Sequence, residues 1–324
     1  MNTMIERCYK LWNPEEYNYS MACGFVPNIY SYIHDEDDTN RSCIIVVPGG
    51  GYCIVSPTEG EIVALEFYRK GYNVFVCTYT TNPLMSVPLK KQPMQDLSRA
   101  IRYIRKHAAK FNINPNRLAL CGFSAGGHLC GSICVHCDDV RDPDPIYDKI
   151  SNRPNAAVLS YPVITSGEKA HRDSFIALLG SDATKEELNY MSLEKHVDSK
   201  TPPCFIWQTA ADELVPVENS FLFAKACQQN GVPYALHIFS EGPHGLSVSN
   251  ADWASGNWGK NYTNLQTVKI IEKIQSGEIS VPLRKKAELA GFNSDAQPSR
   301  KAYEEVAVWP ELAGRWLKKV LHLQ

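Results

Sequence analysis

Short apolar runs alternate with longer helical segments along most of the chain. The apolar runs have the length and composition of buried strands, at 42–52, 73–79, 117–123, 155–163, 204–210 and 234–240. The segments with helical periodicity follow them, at 58–72, 92–113, 125–137, 216–231 and 306–321. Strands that alternate with helices form parallel βαβ units. We therefore predict an α/β fold with a mostly parallel twisted sheet and helices on both faces.

Two segments depart from this alternation. Residues 164–200 lack strand signals and contain short helical patterns, so we expect a small cap over the carboxyl edge of the sheet. Residues 250–305 are polar and rich in Asn and Ser, and they read as a C-terminal insertion before the final helix. No internal repeat or low-complexity linker divides the 324 residues. We predict a single domain over residues 1–324.

Charge and cysteine content exclude several classes of function. The formal net charge of −2 provides no basic field for nucleic acid. No run of about 18 apolar residues predicts a membrane helix, and the N-terminal residues lack the pattern of a secretory signal. Eleven cysteines, an odd number, are scattered through the core segments and favour reduced thiols. We expect a cytoplasmic protein without nucleic-acid or membrane partners. The sequence leaves open whether the chain forms a homo-oligomer.

A serine stands between glycines where a predicted strand runs directly into a predicted helix. Residues 121–128 read Cys-Gly-Phe-Ser-Ala-Gly-Gly-His. In a strand–turn–helix context, Gly-x-Ser-x-Gly is the pattern of a nucleophile elbow, whose sharp turn leaves the serine hydroxyl exposed. Gly122 and Gly126 relieve the crowding around Ser124. The alternative is a glycine-rich turn without chemistry.

A candidate acid and a candidate base follow the serine, in the order in which they follow a nucleophile elbow along the chain. His244 comes after the last predicted strand, between a proline and a glycine, whereas the other eight histidines lack such a position. Asp212 follows the strand at 204–210. Glu213 is adjacent, and Asp212 could instead cap the next helix. We predict that Ser124 is the nucleophile, His244 the base and Asp212 the acid that orients it.

Donors for an oxyanion are expected in the glycine run Pro-Gly-Gly-Gly-Tyr at 48–52, which follows a strand. The N–H groups of Gly50 and Gly51 would act with the N–H of Ala125, the residue after the nucleophile. The alternative is that these glycines only permit the turn.

Three other segments resemble metal-binding or ligand-binding sites. His128 stands near Cys130, Cys134 and Cys137, but these cysteines share one helical face, so we expect core packing rather than zinc. The acidic segment 137–149 lacks the ligand spacing of a calcium loop and reads as a solvated turn. The basic residues of 102–110 read as the exposed face of a helix. We predict no metal and no cofactor.

Five stretches together resemble the α/β-hydrolases, and specifically the bacterial acetyl esterase and acetylxylan-esterase-like group. They are VVPGGGY, NPNRLALCGFSAGGHL, ADELVP, GPHGLS and WPELAGRWL, spread over residues 43–321. The resemblance implies deacetylation of sugars, often xylan fragments. It assigns the triad to Ser124, Asp212 and His244 and the oxyanion donors to Gly50, Gly51 and Ala125. The wider hormone-sensitive-lipase-like esterases have a histidine that braces the loop, where this chain has Pro48.

We therefore expect a serine esterase that hydrolyses short-chain acyl esters, especially acetyl esters of carbohydrates such as xylo-oligosaccharides. The substrate would be a small-molecule or oligosaccharide ester. Tyr52, Trp253 and Trp258 are the predicted substrate-binding residues, because flat aromatic faces stack on sugar rings; the alternative is that the tryptophans form a core or a subunit contact. A general short-chain carboxylesterase without sugar preference and an inactive binding protein of the same fold also stay open.

Overall fold

An eight-stranded sheet forms the centre of the part of the chain that the structure describes. A computed structural model describes residues 4–13, 15–36, 38, 40–283, 286 and 300–322. The strands are β1 Met4–Lys10, β2 Asn28–His34, β3 Cys43–Val47, β4 Asn73–Thr78, β5 Leu118–Phe123, β6 Ala156–Ser160, β7 Cys204–Thr209 and β8 Tyr234–Phe239. Their order across the sheet is β1-β2-β4-β3-β5-β6-β7-β8.

Strands β3 to β8 are parallel, and β1 and β2 add an antiparallel edge. All six strands expected from the apolar runs are confirmed. The two antiparallel strands, β1 and β2, were not predicted. In β1 charged residues interrupt the apolar ones, and every side chain is at least partly exposed. Such a strand lacks the continuous apolar run of a strand that is buried on both faces.

Helices cover both faces of the sheet, as predicted. They are α1 Glu61–Arg69, α2 Gln92–Lys106, α3 Ala125–His136, α4 Pro145–Asp148, α5 Arg172–Leu179, α6 Lys185–Tyr190, α7 Glu218–Gln229, α8 Ala251–Ala254, α9 Leu265–Gln275, α10 Glu304–Ala307 and α11 Trp309–His322. Helices α1 and α11 pack on one face with Phe67 and Trp309. Helices α2, α3 and α7 pack on the other with Leu97, Leu129 and Phe223. The parallel strands therefore bury both their faces.

The two segments outside the alternation contain short helices. Residues 164–200 contain α5 and α6, which agrees with the short helical patterns of the sequence. Residues 250–305 contain α8, α9 and the start of α10. Positions 284, 285 and 287–299 of this insertion lie outside the described residues. The division into a cap and an insertion stays a prediction.

Two charged segments that read as solvated are partly buried. The guanidinium of Arg99 donates two hydrogen bonds of 2.7 Å to the carboxylate of Asp142, in the acidic segment 137–149. Arg102, on the supposed exposed face of α2, is also buried, and its guanidinium lies 3.8 Å from the same carboxylate. The prediction of a fully solvated turn and helix face is wrong here, because paired charges can be buried when their hydrogen bonds are made.

The cysteines pack as core residues. Cys130, Cys134 and Cys137 are buried in the apolar cluster between α3 and the sheet, which confirms the expected packing. All eleven cysteines lie in described segments, and none of them is in a disulfide. Within the described ranges, no three His, Cys, Asp or Glu side chains converge on a point that could hold a metal ion. No helix in those ranges has both the length and the apolar character needed to cross a bilayer.

We expect His128 to make the fold sensitive to acid. Its Nε2 bonds the carbonyl of Met191 at 3.0 Å, so Nε2 carries the proton and Nδ1 accepts from the hydroxyl of Tyr52 at 2.8 Å. Burial lowers the pKa of His128 to about 4. The unfolded histidine binds its proton near pH 6.5, so the free energy of unfolding falls as the pH drops from about 6.5 to about 4. The contribution is on the order of 3 kcal/mol.

Urea denaturation at several pH values between 7 and 4 measures this effect. His128→Gln should flatten the loss of unfolding free energy with acid, at the expense of stability at pH 7. His322→Gln, at an exposed histidine near the end of α11, serves as the control and should leave the pH slope unchanged. An unaltered slope in His128→Gln would show that other groups carry the acid sensitivity.

Candidate active site

Ser124 occupies a strained turn between β5 and α3. Its backbone has φ 52° and ψ −119°, a conformation that side-chain-bearing residues rarely adopt. The flanking glycines are required by space: a Cβ on Gly122 would lie 2.4 Å from the carbonyl oxygen of Gly126, and a Cβ on Gly126 would lie 2.1 Å from the carbonyl oxygen of Val47. The turn therefore has the geometry expected of a nucleophile elbow.

The structure brings together the serine, histidine and aspartate proposed from the sequence. His244 Nε2 lies 2.8 Å from Ser124 Oγ, and His244 Nδ1 lies 2.7 Å from Asp212 Oδ2. Asp212 is buried at the end of β7, whereas Glu213 is exposed. Of the two neighbouring acidic residues, Asp212 is therefore the one that contacts the histidine.

Backbone donors hold the Asp212 carboxylate in place. Its Oδ1 accepts hydrogen bonds from the N–H groups of Leu214 at 3.0 Å and Val215 at 2.9 Å. The side-chain amide of Gln208 donates to Oδ2 at 3.2 Å. A carboxylate fixed in this way accepts the proton on Nδ1 of His244. Nε2 is then left free to accept the proton of the Ser124 hydroxyl.

The N–H groups expected to stabilise an oxyanion are free. Across the described residues, no protein acceptor pairs with the N–H of Gly50, Gly51 or Ala125. Gly50 and Gly51 have φ 116° and 63°, which suits glycine. The loop also passes close to the nucleophile, because a Cβ on Gly49 would lie 2.8 Å from the Cβ of Ser124. Free donors beside Ser124 are what an oxyanion hole requires.

A buried carboxylate that the sequence analysis missed supports this loop. Glu59 accepts a hydrogen bond of 2.7 Å from the N–H of Gly49 and another of 2.7 Å from the hydroxyl of Tyr161. The Tyr161 hydroxyl in turn accepts from the N–H of Ser247, three residues after His244. Burial raises the pKa of Glu59, and its two hydrogen bonds oppose that rise. Glu59 thus links the glycine loop at 48–52 to the loop that carries His244. It does so in a chain that has Pro48 where the wider esterases have a histidine to brace the glycine loop.

We expect Glu59→Gln to lower kcat for a small acetyl ester by about 10- to 10²-fold, with little change in KM. The NH₂ of the new glutamine would face one of the two donors from which the carboxylate now accepts. The N–H groups at 49–51 would therefore shift away from the oxyanion, whose charge exists only in the transition state. Steady-state kinetics with p-nitrophenyl acetate measures the two constants. The affinity for a small trifluoromethyl ketone, which adds to the serine as an oxyanion, should fall in parallel.

Glu186→Gln, at an exposed position on α6, is the control for this substitution and should match the unaltered protein. A rise in KM at constant kcat, or a loss explained entirely by a lower midpoint of unfolding, would contradict a positioning role for Glu59.

The serine and histidine open into a cleft of about 350 Å³ that also contains Gly50 and Gly51. Among the described residues, three further charged or titratable side chains line it: Glu59, His171, which precedes α5, and Arg300. His171 Nδ1 lies 2.8 Å from Ser174 Oγ. Burial and the neighbouring His244 lower the pKa of His171. None of these three residues comes directly after a strand, so the search of the sequence for functional residues at strand ends could not find them.

Two of the three aromatic residues predicted to bind substrate are buried instead. Tyr52 is 1% exposed and bonds His128 beneath the glycine loop. Trp253 is 1% exposed within the core cluster that includes Trp309. Stacking on a substrate is therefore wrong for both. An aromatic side chain packs well both in a core and against a substrate, and the local sequence does not distinguish these two settings.

Trp258 is partly buried, and its indole N–H donates to the carbonyl of Trp253 at 2.9 Å. The guanidinium of Arg300 lies over both rings, 5.1 Å from the centre of Trp253 and 5.3 Å from that of Trp258. The insertion therefore reaches the cleft through Arg300, which the two tryptophans hold.

A larger surface pocket, of about 590 Å³, lies at the opposite edge of the sheet, before the amino ends of β5, β6 and β7. One of its cations, the partly buried Arg105, already donates to the carbonyls of Pro115 and Ser151 and to the side chain of Asn155. The described residues that line this pocket do not include a nucleophilic side chain in contact with a general base. Parallel sheets bind ligands at the carboxyl ends of their strands, which is where Ser124 lies.

The family model described as BD-FAE matches residues 29–227, more than half of the chain. The chain belongs to the BD-FAE family. This match spans the glycine loop, the Ser124 elbow and Asp212, and it ends before His244. The predicted resemblance to α/β-hydrolases of the acetyl esterase type is confirmed by this family and by the relatives that follow.

Two curated proteins from bacteria are similar over most of this BD-FAE chain. Endo-1,4-beta-xylanase B of Butyrivibrio fibrisolvens is 53% identical over 259 residues, which are 80% of this chain and 41% of that protein. Acetylxylan esterase of Xylanibacter ruminicola is 32% identical over 236 residues, 71% of this chain and 44% of that protein. The chain thus spans less than half the length of these curated relatives.

Solved structures share the fold over nearly the whole molecule. The acetyl ester-xyloside bifunctional hydrolase from Caldicellulosiruptor lactoaceticus is 38% identical, with a TM-score of 0.69, over 86% of this chain and 97% of that one. MGS-M1, an alpha/beta hydrolase enzyme from a deep-sea metagenome library, is 26% identical, with a TM-score of 0.64, over 98% of both chains. These neighbours confirm the predicted fold of the BD-FAE chain.

Proposed function

We propose that this chain is a serine esterase that removes acetyl groups from carbohydrates, with acetylated xylo-oligosaccharides as its substrates. The observation that carries the proposal is the hydrogen-bonded series Asp212–His244–Ser124 beside the free N–H groups of the glycine loop. A nucleophile, a base, an orienting acid and oxyanion donors at one cleft are the parts that acyl transfer needs.

In the first half of the reaction, Ser124 Oγ attacks the carbonyl carbon of the acetyl ester. His244 Nε2 takes the hydroxyl proton, and Asp212 stabilises the resulting imidazolium. The carbonyl oxygen becomes an oxyanion that accepts from the N–H groups of Gly50, Gly51 and Ala125. When the tetrahedral intermediate collapses, the bond to the sugar oxygen breaks and His244 gives its proton to that oxygen.

In the second half, water replaces the sugar. His244 takes a proton from the water molecule as its oxygen attacks the acetyl carbon of the acyl-enzyme, and the same donors hold the second oxyanion. The bond to Ser124 Oγ then breaks, the serine regains its proton from His244 and acetate leaves. Both halves use only side chains and backbone groups that meet at this cleft.

The choice of substrate draws on the relatives. One is named an acetylxylan esterase, one an endo-1,4-beta-xylanase B, and one solved neighbour an acetyl ester-xyloside bifunctional hydrolase. All three names refer to a xylan or a xyloside, and two of them refer to an acetyl ester or to an esterase of acetylxylan. Acetylated xylo-oligosaccharides are the substrate that joins these two chemistries.

Rates on acetylated xylo-oligosaccharides, compared with p-nitrophenyl esters of increasing acyl length, test the proposal. We expect activity on acetyl esters and a higher kcat/KM for the sugar ester than for the nitrophenyl ester. Equal values would favour a general short-chain carboxylesterase. No turnover of any ester by a folded protein would favour an inactive binding module.

A further inference from the structure

Two clefts meet at His244. The first is the 350 Å³ cleft that contains Ser124 and the glycine loop. The second is a groove of about 500 Å³, and it contains neither the serine nor the oxyanion donors. We call it the His244 groove, and its walls are formed by Ala211, Glu213, Leu214, Gly242, Pro243, His244 and Tyr303. Leu214, 53% exposed, lines both clefts.

The order of bond breaking assigns a role to each cleft. The acyl carbon must lie against Ser124 Oγ and the free N–H groups, which are in the first cleft. The leaving oxygen must lie against His244 Nε2, because that atom returns the proton. The part of the substrate beyond the leaving oxygen therefore extends from the His244 side. A groove with His244 in its wall and without Ser124 is in the right place for this part.

We infer that the His244 groove binds the glycosyl part of the substrate, an acetylated xylo-oligosaccharide, and that Glu213 and Tyr303 determine this specificity. The inference rests on the proposed function, since it places the sugar of that same reaction. It replaces the subsite that the sequence analysis expected at Trp253 and Trp258.

The chemistry of the walls suits a carbohydrate. The carboxylate of Glu213 and the hydroxyl of Tyr303 have no hydrogen-bond partner within the described part of the chain. They can accept from, or donate to, sugar hydroxyls. Leu214 and Pro243 add exposed apolar surface for the C–H faces of the rings. A few free polar groups on an apolar wall give a site both affinity and orientation.

The groove is held by the same loop that carries the histidine. A Cβ on Gly242 would lie 3.6 Å from Cδ1 of Tyr303, so the tyrosine ring packs close to the turn before His244. The backbone N–H of Tyr303 donates to Ser249 Oγ at 2.9 Å. Tyr303 is thereby fixed relative to the base, which lets a sugar bound beside it present its ester to the serine.

The test compares two acetyl esters that differ only in the alcohol. Ethyl acetate has a leaving group too small to fill the groove, whereas an acetylated xylo-oligosaccharide fills it. The measurement is the ratio of kcat/KM for the sugar ester to kcat/KM for ethyl acetate. We expect Glu213→Gln and Tyr303→Phe each to lower this ratio by about 3- to 10-fold, the effect of losing one or two hydrogen bonds. Inhibition by unacetylated xylo-oligosaccharide should weaken by a similar factor.

Glu186→Gln and Tyr234→Phe are the matched controls, at exposed positions outside both clefts, and should leave the ratio unaltered. If the unaltered protein shows no preference for the sugar ester, the proposed carbohydrate function fails and the groove assignment fails with it. If the unaltered protein prefers the sugar ester and both groove variants keep the full preference, the proposed function stands and the groove assignment alone is overturned.

Discussion

Ser124→Ala is expected to lower kcat for p-nitrophenyl acetate by about 10⁶-fold, because the members of a catalytic triad act as a unit and the serine supplies the bond-forming oxygen. Alanine removes only Oγ, so the turn and its flanking glycines remain compatible with the fold. Steady-state rates measure the effect, and intact-mass analysis after treatment with a fluorophosphonate should show one adduct on the unaltered protein and none on the variant.

Ser132→Ala is the matched control. Ser132 lies on α3 and is buried, as Ser124 is, but its hydroxyl donates to the carbonyl of His128, inside the helix. This variant should keep the rate and the single adduct. The nucleophile would be a different residue if Ser124→Ala, freed of contaminating esterase, retained a few per cent of the rate or still took up the reagent.

Asp212→Asn is expected to lower kcat by about 10⁴-fold while the protein stays folded. The asparagine fits the same space and can still accept from the N–H groups of Leu214 and Val215. Its NH₂ group would then face His244 Nδ1, which would favour the tautomer with the proton on Nε2. That tautomer cannot accept the proton of Ser124. The measurement is kcat on p-nitrophenyl acetate, together with the midpoint of thermal unfolding.

Asp252→Asn provides the control, since Asp252 is exposed in α8 and lies outside both clefts. It should keep the full rate. A nearly active Asp212→Asn enzyme, combined with an inactive Glu213→Gln enzyme, would contradict the geometry at His244 and assign the acid to the next residue.

Much of the arrangement of Ser124, His244 and Asp212 could be predicted because parallel strands impose it. Their carboxyl ends share one edge of the sheet, so residues that follow different strands meet there despite long separations in sequence. Ser124, Asp212 and His244 each follow a strand, and the apolar runs located all three strands correctly. The glycines around Ser124 carry a further local signal, because steric crowding at a tight turn depends on near neighbours in the chain.

Residues outside the strand-end pattern could not be found in this way. Glu59, His171 and Arg300 reach the cleft from a loop, the segment before α5 and the end of the insertion. None of these positions follows a strand of the sheet. Their convergence depends on how distant segments pack, and no local pattern encodes that. The exposed strand β1 was missed for a related reason, since an edge strand of this kind carries no continuous apolar run.

The parallel core, the elbow at Ser124 and the chain order of Ser124, Asp212 and His244 could be read from the residues alone, because each depends on local periodicity, on local crowding or on strand ends that must share an edge. The burial of Trp253 and Tyr52, the contact of Glu59 with the glycine loop and the second groove beside His244 became visible only in the folded chain. Burial and clefts are properties of surfaces brought together from distant parts of the chain. A side chain such as tryptophan suits a core or a ligand site equally well until its neighbours are known.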